Sequence, residues 1–318
     1  MAIITQEQLK AIKAGDVING VLLVKSYSVQ LTKNGKEYII GNLMSGVEVP
    51  FKAWDNSSAF PKFKNEEYTG VPSLVQGVVE AYNGQLSIMV NDVNAVEGFT
   101  PDQFLPIKYN ANAYWDALTK LVKSKVSDKA YNLLDKIFFS KEDIVERFKY
   151  EFAAQSHHDN CKSGLLAHTY KVVGALSYVL NTYQGLVMKD SKTLDTDKVD
   201  LFYVGALFHD IGKIDEMKFG IYQSKARVTH RFLGIEYFAE YKNEIIESYN
   251  EDWYYNLVSI ILQHHGEYED KCRTIYAQVI HLVDVLDSSI TDMLQLMESP
   301  QTQDGVSRIK LNGNYLML

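Results

Sequence analysis

The chain changes its periodicity once, near residue 100, and that change limits what it can fold into. From about Gly15 to Val96 it reads as β, with β-branched and aromatic runs divided by turn residues. Val17-Ile18-Asn19-Gly20-Val21-Leu22-Leu23-Val24 opens the series. Asn34-Gly35, a two-residue hairpin signal, leads into 37–43. Residues 47–54 follow, then 74–82 and 86–90 with a turn at Asn83-Gly84 between them. Five strands in about 80 residues predict a small closed barrel, an OB-fold first and an SH3-like barrel as the alternative. Gly98, Pro101 and Pro106 mark a connector. From Ala111 onward apolar residues recur at helical spacing, as in Val172, Leu176, Val179, Leu180 and Tyr183. The expected architecture is α+β and multidomain: a five-stranded OB-like barrel over 1–98, a linker over 99–112 and an all-α domain over 113–318. Within that domain 252–265 is a helix stopped by Gly266, and 276–297 is another. Residues 184–197 read as a loop, 218–228 as a short hairpin or ordered loop, and 308–318 as a terminal strand or tail.

Composition excludes several classes. At 318 residues, 46% hydrophobic and 23% charged, the sequence is that of a globular protein with about two domains. It has no apolar run long enough for a membrane helix, and its start lacks the regions of a signal peptide. A cytoplasmic location is expected. Two cysteines, Cys161 and Cys272, make no disulfide framework and read as free thiols. The net charge of −8 argues against indiscriminate nucleic-acid binding. Neither part is basic: residues 1–105 carry 8 Lys and Arg against 11 Asp and Glu, and the rest 24 against 29. A local basic groove or a metal-bridged phosphate remains compatible with that balance.

All eight histidines lie in the second half: His157, His158, His168, His209, His230, His264, His265 and His281. One histidine on a helix is ordinarily a packed or solvated residue; the set is what carries weight. His168 shares a helix face with Val172 and should point inward. His209-Asp210 ends the apolar run 202–208, and Asp284 sits inside the core-like Ile280-His281-Leu282-Val283-Asp284-Val285-Leu286. A buried carboxylate is costly unless something positive neutralises it, and a divalent cation does so. Adjacent His and Asp can share one cation, and the second aspartate oxygen can reach another.

His168, then His209-Asp210, then Asp284 resembles the H…HD…D signature of the HD-domain phosphohydrolases, over roughly residues 110–300. His230 and His264-His265-Gly266 stand where dinuclear members keep extra ligands. The resemblance implies a first metal on His168, His209, Asp210 and Asp284, and a second completed by His230 and His264, with His265 replacing or assisting His264. Asp210 would bridge the two and serve catalysis. Imidazole and carboxylate ligands suit Mn²⁺, Fe²⁺, Ni²⁺ or Zn²⁺, and a metal-activated water would attack phosphorus. Lys213 would stabilise phosphate charge. His281, one turn before Asp284, would orient it or simply pack. His157 and His158 are weaker substrate candidates.

HD domains host many phosphohydrolase activities, so the barrel narrows the choice. Tyr27, Tyr38, Phe51, Trp54 and Tyr82, with Lys25, Lys36 and Lys52, supply the residue types that hold single strands; Lys225, Arg227 and Arg231 flank His230. An OB-like barrel joined to an HD domain resembles the YhaM-type 3′→5′ exoribonucleases. Gly15-Asp16, Lys52-Ala53-Trp54-Asp55, Ser163-Gly164-Leu165-Leu166-Ala167-His168, His209-Asp210-Ile211-Gly212-Lys213 and His264-His265-Gly266 carry the likeness. It implies Mn²⁺-favoured digestion of single-stranded RNA, and of DNA in many members, by a homo-oligomer that does not bind membranes. Tyr27, Tyr38, Lys52, Trp54, Lys225 and Arg227 are the expected nucleic-acid contacts. Two departures stand out: Ala167 where the family often has Glu, and Thr229 and Arg231 around His230 in place of a Gly-His-Ile-like run. The alternatives are an HD-type phosphodiesterase or nucleotidase for small nucleotides and a non-catalytic single-strand-binding protein.

Overall fold

The computed structural model describes all residues except 83, 156–158, 188–193, 269, 298–300, 304–305, 312–313 and 318. Contacts divide the chain into two units, Met1–Ile107 and Lys108–Leu318.

The first unit opens with α1 (Gln6–Lys10), fixed by a capping box between Thr5 and Gln8. Then come β1 (Val17–Leu31), β2 (Glu37–Met44), β3 (Glu48–Trp54), α2 (Ala59–Asn65), β4 (Val71–Tyr82) and β5 (Gln85–Ala95). The strands close in the order β1-β2-β3-β5-β4, and β3 meets β5 in parallel. This is the five-stranded barrel expected of an OB-fold. Register shifts at Val24/Ser26 and Gln76/Gly77 give the long strands the bends that closure requires. Side-chain alternation sets the two faces: Val49, Phe51 and Ala53 of β3 are buried, while Lys52 and Trp54 point outward. Helix α2 fills the polar stretch between the third and fourth strands, where the sequence pattern marks no element. Pro61 lies in its first turn, where a missing N–H costs no helical bond, and Ala59 and Phe63 anchor it on the barrel core.

The segment expected as a linker has structure of its own. A 3₁₀ turn at Pro101–Phe104 buries Phe104, whose carbonyl accepts from the Gly46 N–H at 2.7 Å.

The second unit is built on α3 (Ala111–Lys125), α4 (Asp128–Leu134), α5 (Glu142–Tyr150), α6 (Gly164–Val187), α7 (Thr196–Phe208) and α8 (Lys213–Glu216). A hairpin of β6 (Met217–Lys218) and β7 (Ile221–Tyr222) follows, then α9 (Thr229–Ala239), α10 (Lys242–Ser248), α11 (Glu251–Gln263) and α12 (Ile275–Met297). The chain ends in a sheet of β8 (Gln301–Gln303), β9 (Val306–Leu311) and β10 (Asn314–Met317). Small sheets accompany the helices: Phe219 and Gly220, both at positive φ, turn the chain into the β6–β7 hairpin, within the stretch expected as a short hairpin or ordered loop. Helix α6 also runs on to Val187, four residues into the stretch 184–197 where a loop was expected. Every residue of α7 from Asp200 to Phe208 is buried. This helix is the centre of the unit, packed against α6, α11 and α12. Among the described residues, no helix is long and apolar enough to cross a membrane.

Candidate metal centre

Five helices deliver their polar residues to one point. His168 lies one turn into α6, His209 caps the C-terminus of α7 with Asp210 next, and His264 caps α11. His230 is in the first turn of α9, and Asp284 faces the cluster from α12. His168, His209, Asp210, His230 and His264 are all buried. Gly212 explains how α9 comes so close: a Cβ there would lie 1.9 Å from the His230 carbonyl oxygen and 2.5 Å from the Gly234 nitrogen. Only glycine lets the chain after Asp210 touch the backbone that carries His230.

Asp210 stands in the middle. Its Oδ2 is 3.5 Å from Nε2 of His168 and 3.5 Å from Nε2 of His209. Its Oδ1 is 3.4 Å from Nε2 of His230 and 3.4 Å from Nε2 of His264. On the first side, His168 Nε2 is also 3.3 Å from Asp284 Oδ1. Each histidine is held by its other nitrogen. His209 Nδ1 bonds the Ala206 carbonyl at 2.8 Å and His264 Nδ1 the Ile261 carbonyl at 2.9 Å. His168 Nδ1 meets Asp287 at 2.7 Å and His230 Nδ1 meets Glu216 at 3.0 Å. A carbonyl only accepts, so Nδ1 of His209 and His264 carries the proton and Nε2 presents a lone pair.

Asp210 Oδ1, His230 Nε2 and His264 Nε2 are buried and have no hydrogen-bond partner. Leaving such groups buried and unpaired is costly. A divalent cation between them resolves that, and the imidazole–carboxylate donor set fits one. Among the described residues three groups of donors have ligand atoms within reach of a common ion: Asp210 with His230, His264 and His265; His168 with His209 and Asp210; and Asp159 with His168 and Asp287.

Charge is distributed unevenly. Burial opposes a proton on His168, but the Asp284 and Asp287 carboxylates overrule it and raise its pKa to about 10. Burial pushes His264 down to about 3 and lowers His209, so both favour the neutral, ligating form. Burial would raise Asp210, yet Lys213 and the surrounding histidines hold it well below the usual carboxylate range. The Lys213 ammonium lies 2.7 Å from Asp210 Oδ2.

The remaining expected residues fall in several places. His265 packs beside His264 and His230 at ring separations of 4.3 and 5.0 Å. His281 does not orient Asp284 through Nδ1, which instead bonds the His264 carbonyl at 2.7 Å and steadies the end of α11. Arg231 turns to the Leu262 carbonyl and Asp270. Lys225 and Arg227 are exposed on the 3₁₀ turn Ser224–Val228. His157 and His158 lie outside the described residues. On the barrel, Tyr38 and Trp54 pair across strands with ring centroids 5.1 Å apart, and Lys52 sits over the ring of exposed Tyr82 at 5.7 Å. Tyr27 stands apart, packed on Phe63 and bonded to the Glu66 carbonyl. Phe51 is core, and Lys25 is buried in an ion pair with Glu48.

Three residues were missed. Asp287 and Glu216 hold His168 and His230 by their Nδ1 atoms, and Lys171 bonds Asp159 at 2.8 Å and Asp287 Oδ1 at 3.2 Å. The one signal for Asp287 was its place a turn after Asp284 on the same helix face.

The class is defined by these features together: a closed β-barrel followed by a helical unit with a buried histidine–aspartate cluster that fits a divalent metal. Residues 165–289 match the family described as HD domain, which spans His168, His209, Asp210, His230, His264 and Asp284. Over nearly its whole length the chain is similar to proteins named 3′-5′ exoribonuclease YhaM. The one from Bacillus subtilis (strain 168) is 24% identical, covering 93% of each chain. The one from Listeria monocytogenes (EGD-e) is 22% identical, covering 96% of this chain and 95% of that protein. A solved chain from a replication protein A heterotrimer bound to ssDNA overlaps 28% of this chain and 62% of its own, at 18% identity and a TM-score of 0.21, too slight a likeness to bear on the fold.

Proposed function

We propose that this protein is a metal-dependent 3′→5′ exonuclease that hydrolyses phosphodiester bonds of single-stranded RNA, and of DNA as a second substrate. The observation that carries this is Asp210, whose two carboxylate oxygens each face a different pair of histidine Nε2 atoms. That arrangement supports two ions. His168, His209, Asp210 and Asp284 would hold one, and Asp210, His230 and His264 the other, with His265 alongside. Mn²⁺ is the favoured ion. Bound there, divalent cations supply Lewis-acid activation of water and neutralise the phosphate oxygens. The protein's own part is to fix the imidazoles by their Nδ1 hydrogen bonds and to keep Asp210 ionised. Lys213 places a cation beside the centre, where it stabilises charge gathering on the phosphate.

Similarity to the YhaM exoribonucleases over both units supports the polarity and the polymer substrate. On the barrel, Tyr38, Trp54 and Lys52, joined by Tyr82, offer a stacking surface with positive charge, which suits bases without regard to sequence. Lys225 and Arg227 add exposed charge before His230. The exposed apolar residues Ile275, Leu282, Leu286, Ile290 and Leu294 of α12 support self-association. Two free thiols suit a cytoplasmic location.

The test is a 5′-labelled single-stranded oligoribonucleotide, free or blocked at its 3′ end, incubated with Mn²⁺. Stepwise shortening of the free form alone is expected. Equal cutting of both forms, or hydrolysis of mononucleotides only, contradicts the proposal.

A further inference from the structure

Beside the metal centre is a cavity of about 520 Å³ lined by Ala153, Ala154, Lys213, Tyr222, His230 and His265, among others. Its volume is within the range of about 300–1,000 Å³ typical of small-molecule sites. One end of the wall is the metal centre itself, through His230, His265 and Lys213. The rest mixes small side chains with the longer Gln155, Glu216 and Met217, and its large aromatic is Tyr222, which is 53% exposed.

The placement of Tyr222 is built at some cost. It belongs to β7, paired with Met217 in a hairpin of two residues per strand. Such a hairpin has little stability of its own. A buried carboxylate holds it: Glu151 accepts from the N–H groups of Phe152, Phe219 and Gly220 at 2.9, 3.0 and 2.8 Å. Gly220 has φ +72°, and a Cβ there would lie 2.6 Å from the Phe152 ring, so the turn is pressed directly onto its support. After Tyr222, the Gln223 N–H bonds the Glu216 carbonyl at 2.8 Å, and the Glu216 side chain is the group that fixes His230. The aromatic wall and a metal ligand therefore share one rigid frame. Burying a carboxylate to fasten a surface turn is explained if the turn carries a binding residue.

Given the exonuclease reading, on which this inference rests, we propose that the cavity receives the 3′-terminal nucleoside of the strand and that Tyr222 is the surface on which its base stacks. The scissile phosphate then lies toward His230 and Lys213, and the terminal nucleoside extends into the cavity. Three alanines, Ala153, Ala154 and Ala226, leave room for either purine or pyrimidine. Stacking accepts every base, so the pocket selects for the presence of a terminal base and is indifferent to its identity.

The experiment compares single-stranded RNA ending in a normal nucleotide with the same strand ending in an abasic one, using the full-length protein with Mn²⁺. Wild type should show a lower KM for the normal end by about 5- to 150-fold, the worth of one stacked base. Tyr222→Ala should erase that difference by raising KM for the normal end, and Tyr222→Phe should restore it, which also controls for folding. If wild type shortens strands but treats both ends alike, or Tyr222→Ala keeps the wild-type preference, the pocket assignment is overturned and the exonuclease reading stands. If wild type shortens neither strand, the exonuclease reading fails and this inference with it.

Discussion

Glu216 gives the sharpest mutational handle on the centre. Its carboxylate accepts from the backbone N–H of His230 at 3.0 Å and from Nδ1 of the same residue at 3.0 Å, and it is 7% exposed. It touches only the His230 side of the cluster, whereas Asp287 touches only the His168 side. Losing a group that orients a ligating histidine lowers metal affinity about 10- to 100-fold, or about 1.4–2.7 kcal/mol. Glu216→Ala removes both bonds and should reach the upper part of that range for one ion. Glu216→Gln keeps one acceptor oxygen and should fall near the lower part. Asp287→Ala should weaken the other ion. Free Mn²⁺ read by electron paramagnetic resonance during titration, with circular dichroism as a check on folding, separates the two binding steps. Wild type should bind two ions, and each variant should weaken one step far more than the other. A single ion in wild type, or equal weakening of both steps by either variant, refutes the reasoning that Asp210 divides the cluster in two.

Gly212→Ala sets a methyl group against the His230 carbonyl and should cost about 1–3 kcal/mol as overpacking. For a unit of this size that lowers Tm by about 2–4 °C per kcal/mol, and Mn²⁺ affinity should fall as α9 moves; an unchanged Tm and affinity contradict the packing argument. Thr229 sits at φ 62° and ψ 153°, a conformation that disfavours any side chain. Thr229→Gly should relieve about 1–3 kcal/mol of strain and lose about 0.5–1 kcal/mol to chain entropy, so Tm in a scanning calorimeter should rise, and a fall contradicts the strain. The imidazole of His168, with its pKa raised to about 10, is charged near neutral pH in the metal-free protein. Metal binding there must release a proton, so affinity should strengthen as pH rises toward 10. Calorimetric titration in buffers of different ionisation enthalpy reads the release, and heats that do not depend on the buffer contradict it.

The barrel was legible because its strands alternate and its turns carry Asn-Gly, signals that survive without tertiary context. Helix α2 was not, because Pro61 and two serines resemble a loop until Ala59 and Phe63 find the barrel to pack against. In the second unit, the candidate ligands stood out as polar residues in apolar helices, a pattern that a bound cation rationalises. Asp287, with only its spacing from Asp284 as a signal, and Glu216 and Lys171, with none, escaped for the opposite reason. Charged residues on helices are commonplace, and their role exists only as contacts with side chains 12 to 119 residues away. Thr229 and Arg231 suggested a disturbed second half of the site. In the structure, Thr229 adopts a glycine-like backbone and Arg231 turns away, so His230 still reaches Asp210. Cross-strand neighbours set the barrel surface: register pairs Tyr38 with Trp54 and leaves Tyr27 beside α2.

The most direct test of the account is Asp210→Ala, assayed for bound metal and for strand shortening in the same preparation. The account predicts that wild type carries two ions per chain and degrades single-stranded RNA from its 3′ end, and that the variant, still folded, loses both ions and all hydrolysis. A folded variant that retains full activity, or one that keeps both ions, would contradict the central place of Asp210.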